Sequence, residues 1–102
     1  MKRLPKTIII GGTRWKIVLD RRTTGCSFVW HDHTIRVEKR ISWERQFNIL
    51  VHEICEVIMV NNMLRFRKCT EGEAENGDYL FSFNHDSFEI FTDELSGILK
   101  QI

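Results

Sequence analysis

The sequence contains few of the residues that break a chain into separate units. Pro5 is the only proline among 102 residues, and we find no internal repeat and no low-complexity segment. A chain of this length without a Pro-rich linker is typical of one domain. We therefore predict a single continuous domain over residues 1–102.

Cysteine is also scarce. The three cysteines are Cys26, Cys55 and Cys69, and no two of them have CxxC spacing. A secreted domain that depends on disulfides has an even number of cysteines. Unpaired thiols indicate an intracellular protein, because disulfides form and persist mainly outside the cytosol. We expect a cytoplasmic location.

Long hydrophobic runs are absent as well. The most apolar stretch, Ile49 to Val60, is interrupted by His52, Glu53 and Glu56. A transmembrane helix needs ~20 mostly apolar residues. The isoleucines at positions 8–10 are too few for the apolar region of a signal peptide. The sequence therefore predicts no membrane partner.

A strong excess of one charge is missing from the whole chain, whose formal net charge is +1. This balance argues against a dedicated nucleic-acid-binding protein. Residues 1–45 nevertheless have eleven Lys and Arg against four Asp and Glu, a net +7, while residues 46–102 have four against ten, a net −6. The basic part leaves open a regulator that binds nucleic acid or an acidic protein.

Strand patterns fill the first forty residues. Apolar and polar residues alternate in segments that are short enough for strands, and Gly11-Gly12 is typical of a hairpin turn. The predicted strands are Thr7–Ile10, Trp15–Asp20, Ser27–His31 and Thr34–Glu38. Because their connections are short, we predict an antiparallel β-meander.

A long helix follows the strands. Ser42 is a suitable N-cap, and Asn61-Asn62 is a suitable end. Apolar residues recur at helical spacing and also occur on other faces, which predicts a central helix buried on most sides. The residues at helical spacing are Trp43, Phe47, Leu50, Val51, Ile54 and Ile58.

A second helix is predicted at the end of the chain. Asp86 and Glu89 resemble its N-terminal capping pair, and apolar residues recur through Leu99. The segment between the helices predicts two further strands, Arg65–Cys69 and Tyr79–Phe83, around a polar loop at Glu71–Asp78. The predicted class is α+β, with the sheet packed on two helices.

The motif that carries chemistry is His52-Glu53-x-x-Glu56 in the first helix. His52 and Glu56 are four residues apart and lie one turn apart on one face, where they can hold one metal ion. Glu53 lies ~100° further round the helix, where it can face a metal-bound water without being a ligand. Zincin helices have His at the first and fifth positions and Glu at the second, whereas Glu56 stands at the fifth position here.

A second imidazole is available from His85, just before the last helix. His52, Glu56 and His85 would supply two imidazoles and one carboxylate, which is a usual set for catalytic zinc with a fourth position for water. Zinc in such a site lowers the pKa of its water towards ~7. Glu53 is the predicted catalytic base, which would pass the water's proton to the leaving amine.

Two segments resemble a group of small phage and prophage zincin-like proteins. They are Leu50–Val60 (LVHEICEVIMV) and Phe81–Leu99 (FSFNHDSFEIFTDELSGIL). In that family an HExxE helix is followed by an insertion and then by a His at the start of a final amphipathic helix. The resemblance implies a zincin-like fold, a zinc cofactor and metallopeptidase activity on a peptide or protein substrate. It also implies a bacterial host cell as the setting.

Less specific roles for the same residues stay open. His52, Glu53 and Glu56 can instead form a buried polar network, for instance with Arg14, Arg36 or Arg45, because an unpaired buried charge is costly. A metal bound there can also stabilise a binding module that has no activity.

Several other residues have simpler interpretations. We expect Cys55 to be a core thiol and Trp15, Trp30 and Trp43 to be core residues. His31 and His33 flank Asp32 at a predicted hairpin tip, where exposed histidines are common.

Overall fold

The chain folds as an α+β domain, as predicted. The computed structural model describes residues 3–23, 26–29, 31–67 and 79–102. Its elements in chain order are β1 (Thr7–Ile10), β2 (Thr13–Asp20), β3 (Cys26–Val29), β4 (Thr34–Glu38), α1 (Trp43–Asn61), β5 (Arg65–Arg67), β6 (Tyr79–Phe81) and α2 (His85–Leu99). The predicted loop at Glu71–Asp78, Trp30 and the predicted strand end at Cys69 lie outside the described residues.

The main sheet has four strands in the order β1-β2-β4-β3. Strand β1 pairs with β2 in antiparallel fashion and β3 with β4 likewise, but β2 and β4 run parallel. The predicted antiparallel β-meander was therefore wrong. A short connection reverses the chain from β2 to β3, but it does not decide which strands pair. Neighbouring strands lie ~4.8 Å apart, and five residues, 21–25, are enough to pass one intervening strand. β4 is that strand, since it lies between β2 and β3 in the sheet.

The β1–β2 connection is the predicted glycine turn. Gly11 and Gly12 have φ of +58° and +81°, in the left-handed region that residues with a Cβ rarely adopt. A second, two-stranded sheet pairs β5 with β6 in antiparallel register, with Arg65 opposite Phe81. The last strand ends at Phe81, two residues before the predicted end at Phe83.

The core lies between the four-stranded sheet and one side of α1. From the sheet, Ile8, Ile10, Trp15, Ile35 and Val37 are at most 1% exposed, and from α1 so are Leu50, Ile54, Val57 and Ile58. We expected α1 to be buried on most sides, but only this side is fully buried. Its opposite side is exposed at Glu44, Arg45, Asn48 and His52.

The N-terminal end of α1 is fixed by polar side chains. The predicted N-cap Ser42 accepts a hydrogen bond from the Arg45 N–H at 3.3 Å. The Gln46 Nε2 group donates to the carbonyl oxygens of Glu38 and Lys39, at 3.4 and 3.1 Å. These bonds attach the first turn of α1 to the end of β4, and so set the phase of the helix that carries His52.

The second helix starts one residue earlier than its predicted cap. Asn84 is the N-cap and exchanges hydrogen bonds of 2.8 Å with Ser87, so the predicted pair Asp86 and Glu89 was wrong. Asn and Asp are comparably good caps, and Ser at the third helical position replaced the expected Glu. Ile98, near the C-terminal end of α2, is 4% exposed and belongs to the core. Neither helix of the described residues combines the length and apolarity needed to cross a membrane.

Gln46→Ala tests the attachment of α1 to β4. The substitution leaves two carbonyl groups without their donor at a site where Gln46 is 8% exposed. We expect the free energy of unfolding to fall by ~1–3 kcal/mol, measured by urea denaturation. Asn48→Ala on the exposed side of the same helix is the matched control and should change it by less than ~0.5 kcal/mol. Equal effects of the two variants would contradict this role of Gln46.

Candidate metal centre

The structure brings His52, Glu53 and Glu56 together. One potential ligand atom from each residue lies within 4.8 Å of the other two. The His52 Nε2 atom is 2.8 Å from Oε2 of Glu56, one helical turn away. The cluster therefore offers one imidazole nitrogen and two carboxylate groups from a single helix.

The three side chains differ in their exposure to solvent. The side chain of His52 is 67% exposed and that of Glu56 is 20% exposed, whereas Glu53 is only 6% exposed. We expected all three within a buried helix, and for His52 this was wrong. His52 is two residues from both Leu50 and Ile54, which places it ~200° round the helix from these fully buried residues. The cluster thus extends from the solvent to the edge of the core.

Glu53 faces the β3 side of the sheet. Asn62, at the end of α1, donates to Oε1 of Glu94 in α2 at 3.4 Å, and so marks the side of α1 that faces α2. Glu53 is nine residues before Asn62, which places it ~180° round the helix from that side. α2 contacts β1, and α1 contacts β1, β4 and β3, so the side of α1 away from α2 lies towards the β3 edge.

His85 lies in a different cluster. Its Nε2 atom is 3.6 Å from Oε1 of Glu89, and Asp86 completes this second group of potential ligands. Among the described residues, no group of potential ligands contains both His52 and His85. The structure thus brings together two members of the predicted ligand set, His52 and Glu56, and places the third elsewhere.

The first turns of α2, which carry His85, are largely exposed, whereas Ile98 near its end is buried. Phe91, Leu95 and Ile98 pack in or against the core, so α2 contacts the core over its middle and end, and His85 lies before this contact. Sequence reasoning missed the second cluster, although His85-Asp86-x-x-Glu89 repeats the spacing of His52-Glu53-x-x-Glu56.

Cys55 lies next to this cluster in the chain and has a free thiol. Burial raises the pKa of the Cys55 thiol, and the negative charge of Glu56 raises it further. The thiol is therefore protonated at neutral pH, and a protonated thiol is a poor metal ligand. Cys55 is half-buried and lies outside the buried core, so the prediction of a core thiol is met only in part.

Arg36, considered above as a partner for the cluster, binds Asp20 at 3.3 Å. The pKa of Asp20 is lowered by a hydrogen bond from the Arg22 backbone N–H, and the charge of Arg36 adds to this effect. The positive charge of Arg36 thus has a carboxylate partner on the sheet.

The remaining aromatic and histidine predictions have mixed outcomes. Trp15 is a core residue, 1% exposed, as predicted. Trp43 is partly buried and stacks on Phe47 with a centroid distance of 5.3 Å. His31 is exposed at the predicted tip, but His33 is half-buried with its ring 5.2 Å from that of Trp15.

Comparisons of the chain with protein-family models, with curated proteins and with solved structures found no match. The zincin-like family, its fold and its activity therefore stay predictions from the resemblance of two segments.

The separation of the two clusters predicts independent responses of the two histidines. Glu56→Gln should shift the imidazole NMR resonances of His52 and leave those of His85 in place, because the ion pairs in the described part of the chain join each ring to the Glu of its own cluster. Glu89→Gln is the matched control and should do the reverse. A response of His52 to Glu89→Gln would mean that the clusters are contiguous.

Proposed function

We propose that this chain binds a divalent cation, zinc in the first place, through His52 and Glu56, and that it hydrolyses peptides with Glu53 as general base. The observation that carries the proposal is the convergence of three potential ligand atoms within 4.8 Å on one flank of α1. The solvent-exposed ring of His52 leaves this flank open to a metal ion and to a substrate.

The chemistry of the donors suits the proposed ion. Zinc accepts imidazole nitrogen and carboxylate oxygen, and other divalent metals such as manganese accept the same donors. The contact between His52 and Glu56 holds two potential ligand atoms 2.8 Å apart. Two ligands from one helix leave positions for water and substrate, but they bind more weakly than a closed set of four ligands.

Glu53 is suited to the role of the base by its place beside the ligands. Zinc, when bound, supplies an acidic water and polarises a carbonyl group. Glu53 would take a proton from the attacking water and deliver it to the leaving amine. Glu53 is only 6% exposed, and burial costs a side chain rotamer freedom, so its carboxylate has few alternative positions.

The substrate would be an extended peptide bound at the edge of the sheet. β3 is an edge strand on the side of α1 that Glu53 faces. A peptide that adds a strand to such an edge is held by main-chain hydrogen bonds, and this places a peptide carbonyl at a fixed distance from the sheet.

Zinc titration of three variants tests the ligands. We expect His52→Ala and Glu56→Gln each to abolish or strongly weaken binding in isothermal titration calorimetry, because each removes a donor. His85→Ala, the control in the second cluster, should leave the affinity unchanged. If His85→Ala also abolishes binding, the site is the predicted set of three residues rather than the pair on α1. Unchanged binding in all three variants would refute the site.

Glu53→Gln tests the base. The amide has nearly the same shape but cannot take a proton, so we expect hydrolysis to fall by ~10²–10⁴-fold with zinc affinity retained. Cleavage of a peptide library, followed by mass spectrometry, measures the activity of both proteins. If zinc is lost together with activity, Glu53 is a ligand and the assignment as base fails.

A second candidate function is a binding module that zinc stabilises without catalysis. The whole cluster comes from one helix, and only two of its residues, His52 and Glu56, are proposed as ligands. Catalytic zinc usually has three protein ligands, so this arrangement favours a binding module. For such a module, zinc would raise the Tm of the wild-type chain, but no peptide in the library would be cleaved.

A further inference from the structure

Strand β1 forms one edge of the four-stranded sheet, opposite to the β3 edge. The carbonyl oxygen of Lys6, which precedes β1, accepts a hydrogen bond from the Ile17 N–H of β2 at 2.8 Å. Backbone groups alternate in direction along an antiparallel strand, so Ile8 and Ile10 also bond towards β2. The N–H and C=O groups of Thr7 and Ile9 therefore point outwards, away from the sheet.

The outward groups of Ile9 are occupied by the side chain of Gln101, 92 positions away in the chain. The Ile9 N–H donates to Oε1 of Gln101 at 2.8 Å, and Nε2 of Gln101 donates to the Ile9 carbonyl at 2.9 Å. Both distances are those of well-formed hydrogen bonds. The primary amide thus makes the two bonds that a residue of an added strand would make.

Gln101 is held in this position by the end of α2. Its own N–H donates to the Ile98 carbonyl at 2.9 Å, and the Ile102 N–H donates to the Leu99 carbonyl at 3.2 Å. Ile98 is 4% exposed, and Ile102 packs against the core. The contact with Ile9 is therefore built into the packing of the C-terminal helix.

We propose that Gln101 is an edge lock, a residue that closes β1 against pairing with β1 of a second copy of this chain. Two outward residues, Thr7 and Ile9, make the edge self-complementary, because an antiparallel copy pairs Thr7 with Ile9 and Ile9 with Thr7. Such a contact has two-fold symmetry and closes as a dimer. Ile9, 48% exposed, adds apolar surface that the dimer would cover.

The test compares Gln101→Ala with Lys100→Ala, a neighbouring exposed position. At low protein concentration, we expect exchange of the Ile9 amide proton, measured by NMR, to be about fivefold faster in Gln101→Ala, because the Ile9 N–H loses its hydrogen bond to Oε1 of Gln101. At higher concentration, light scattering should show a dimer for Gln101→Ala alone. Lys100→Ala and the wild type should stay monomeric.

A second substitution identifies the surface that pairs. Thr7→Pro removes an outward N–H that β2 does not use, so the double variant Thr7→Pro/Gln101→Ala should return to a monomer. A dimer that persists in the double variant would show association at another surface and overturn the proposal. A Gln101→Ala protein that stays monomeric at all concentrations would also overturn it, whether or not its Ile9 amide exchanges faster.

Discussion

The rest of the structure depends on the burial of one side of α1 against the mixed sheet. Leu50, Ile54, Val57 and Ile58 are 0% exposed, and together they fix the rotation of the helix about its axis. A fully buried aliphatic side chain contributes ~1.5–3 kcal/mol, so a rotation that exposed these four would cost more than any surface contact could return. The polar residues of α1 must take the directions that remain.

The rotation of α1 determines how exposed each residue of the candidate centre is. His52 must lie on the solvent side, Glu53 beside the core and Glu56 between them. A single helix therefore presents one accessible imidazole and one sheltered carboxylate next to each other. This difference in exposure suits one group that receives an ion from solution and another that handles a proton out of contact with bulk water. The end of α2 packs on the core, and Gln101, which follows it, covers the outer edge of β1.

Local signals in the sequence were enough for most elements. Ser42 and the spacing of Leu50, Ile54 and Ile58 predicted α1, and Gly11-Gly12 predicted the first hairpin. Sheet order was not predictable in this way, because pairing of β2 with β4 depends on contacts between distant residues rather than on the short loops. The cap of α2 was misplaced because Asn84 and Asp86 are both good N-caps within one turn.

The candidate site was predictable only where it is local. Spacing alone places His52 and Glu56 on one face, since the helix carries both. The position of His85 depends on how α2 packs against the rest of the fold, which involves the burial of Ile98 and the contact between Asn62 and Glu94. Neither is visible as a motif. The exposure of His52 was visible in principle, because it falls out of phase with Leu50 and Ile54.

The most direct test of the central claim is the metal content of the purified, tag-free protein, measured by elemental mass spectrometry after incubation with zinc and removal of the excess. The proposed centre predicts close to one zinc per chain, and predicts its loss when His52 and Glu56 are both replaced by alanine. A wild-type protein that retains no metal would show that His52, Glu53 and Glu56 are a polar cluster of the helix, and it would remove the basis for a hydrolase.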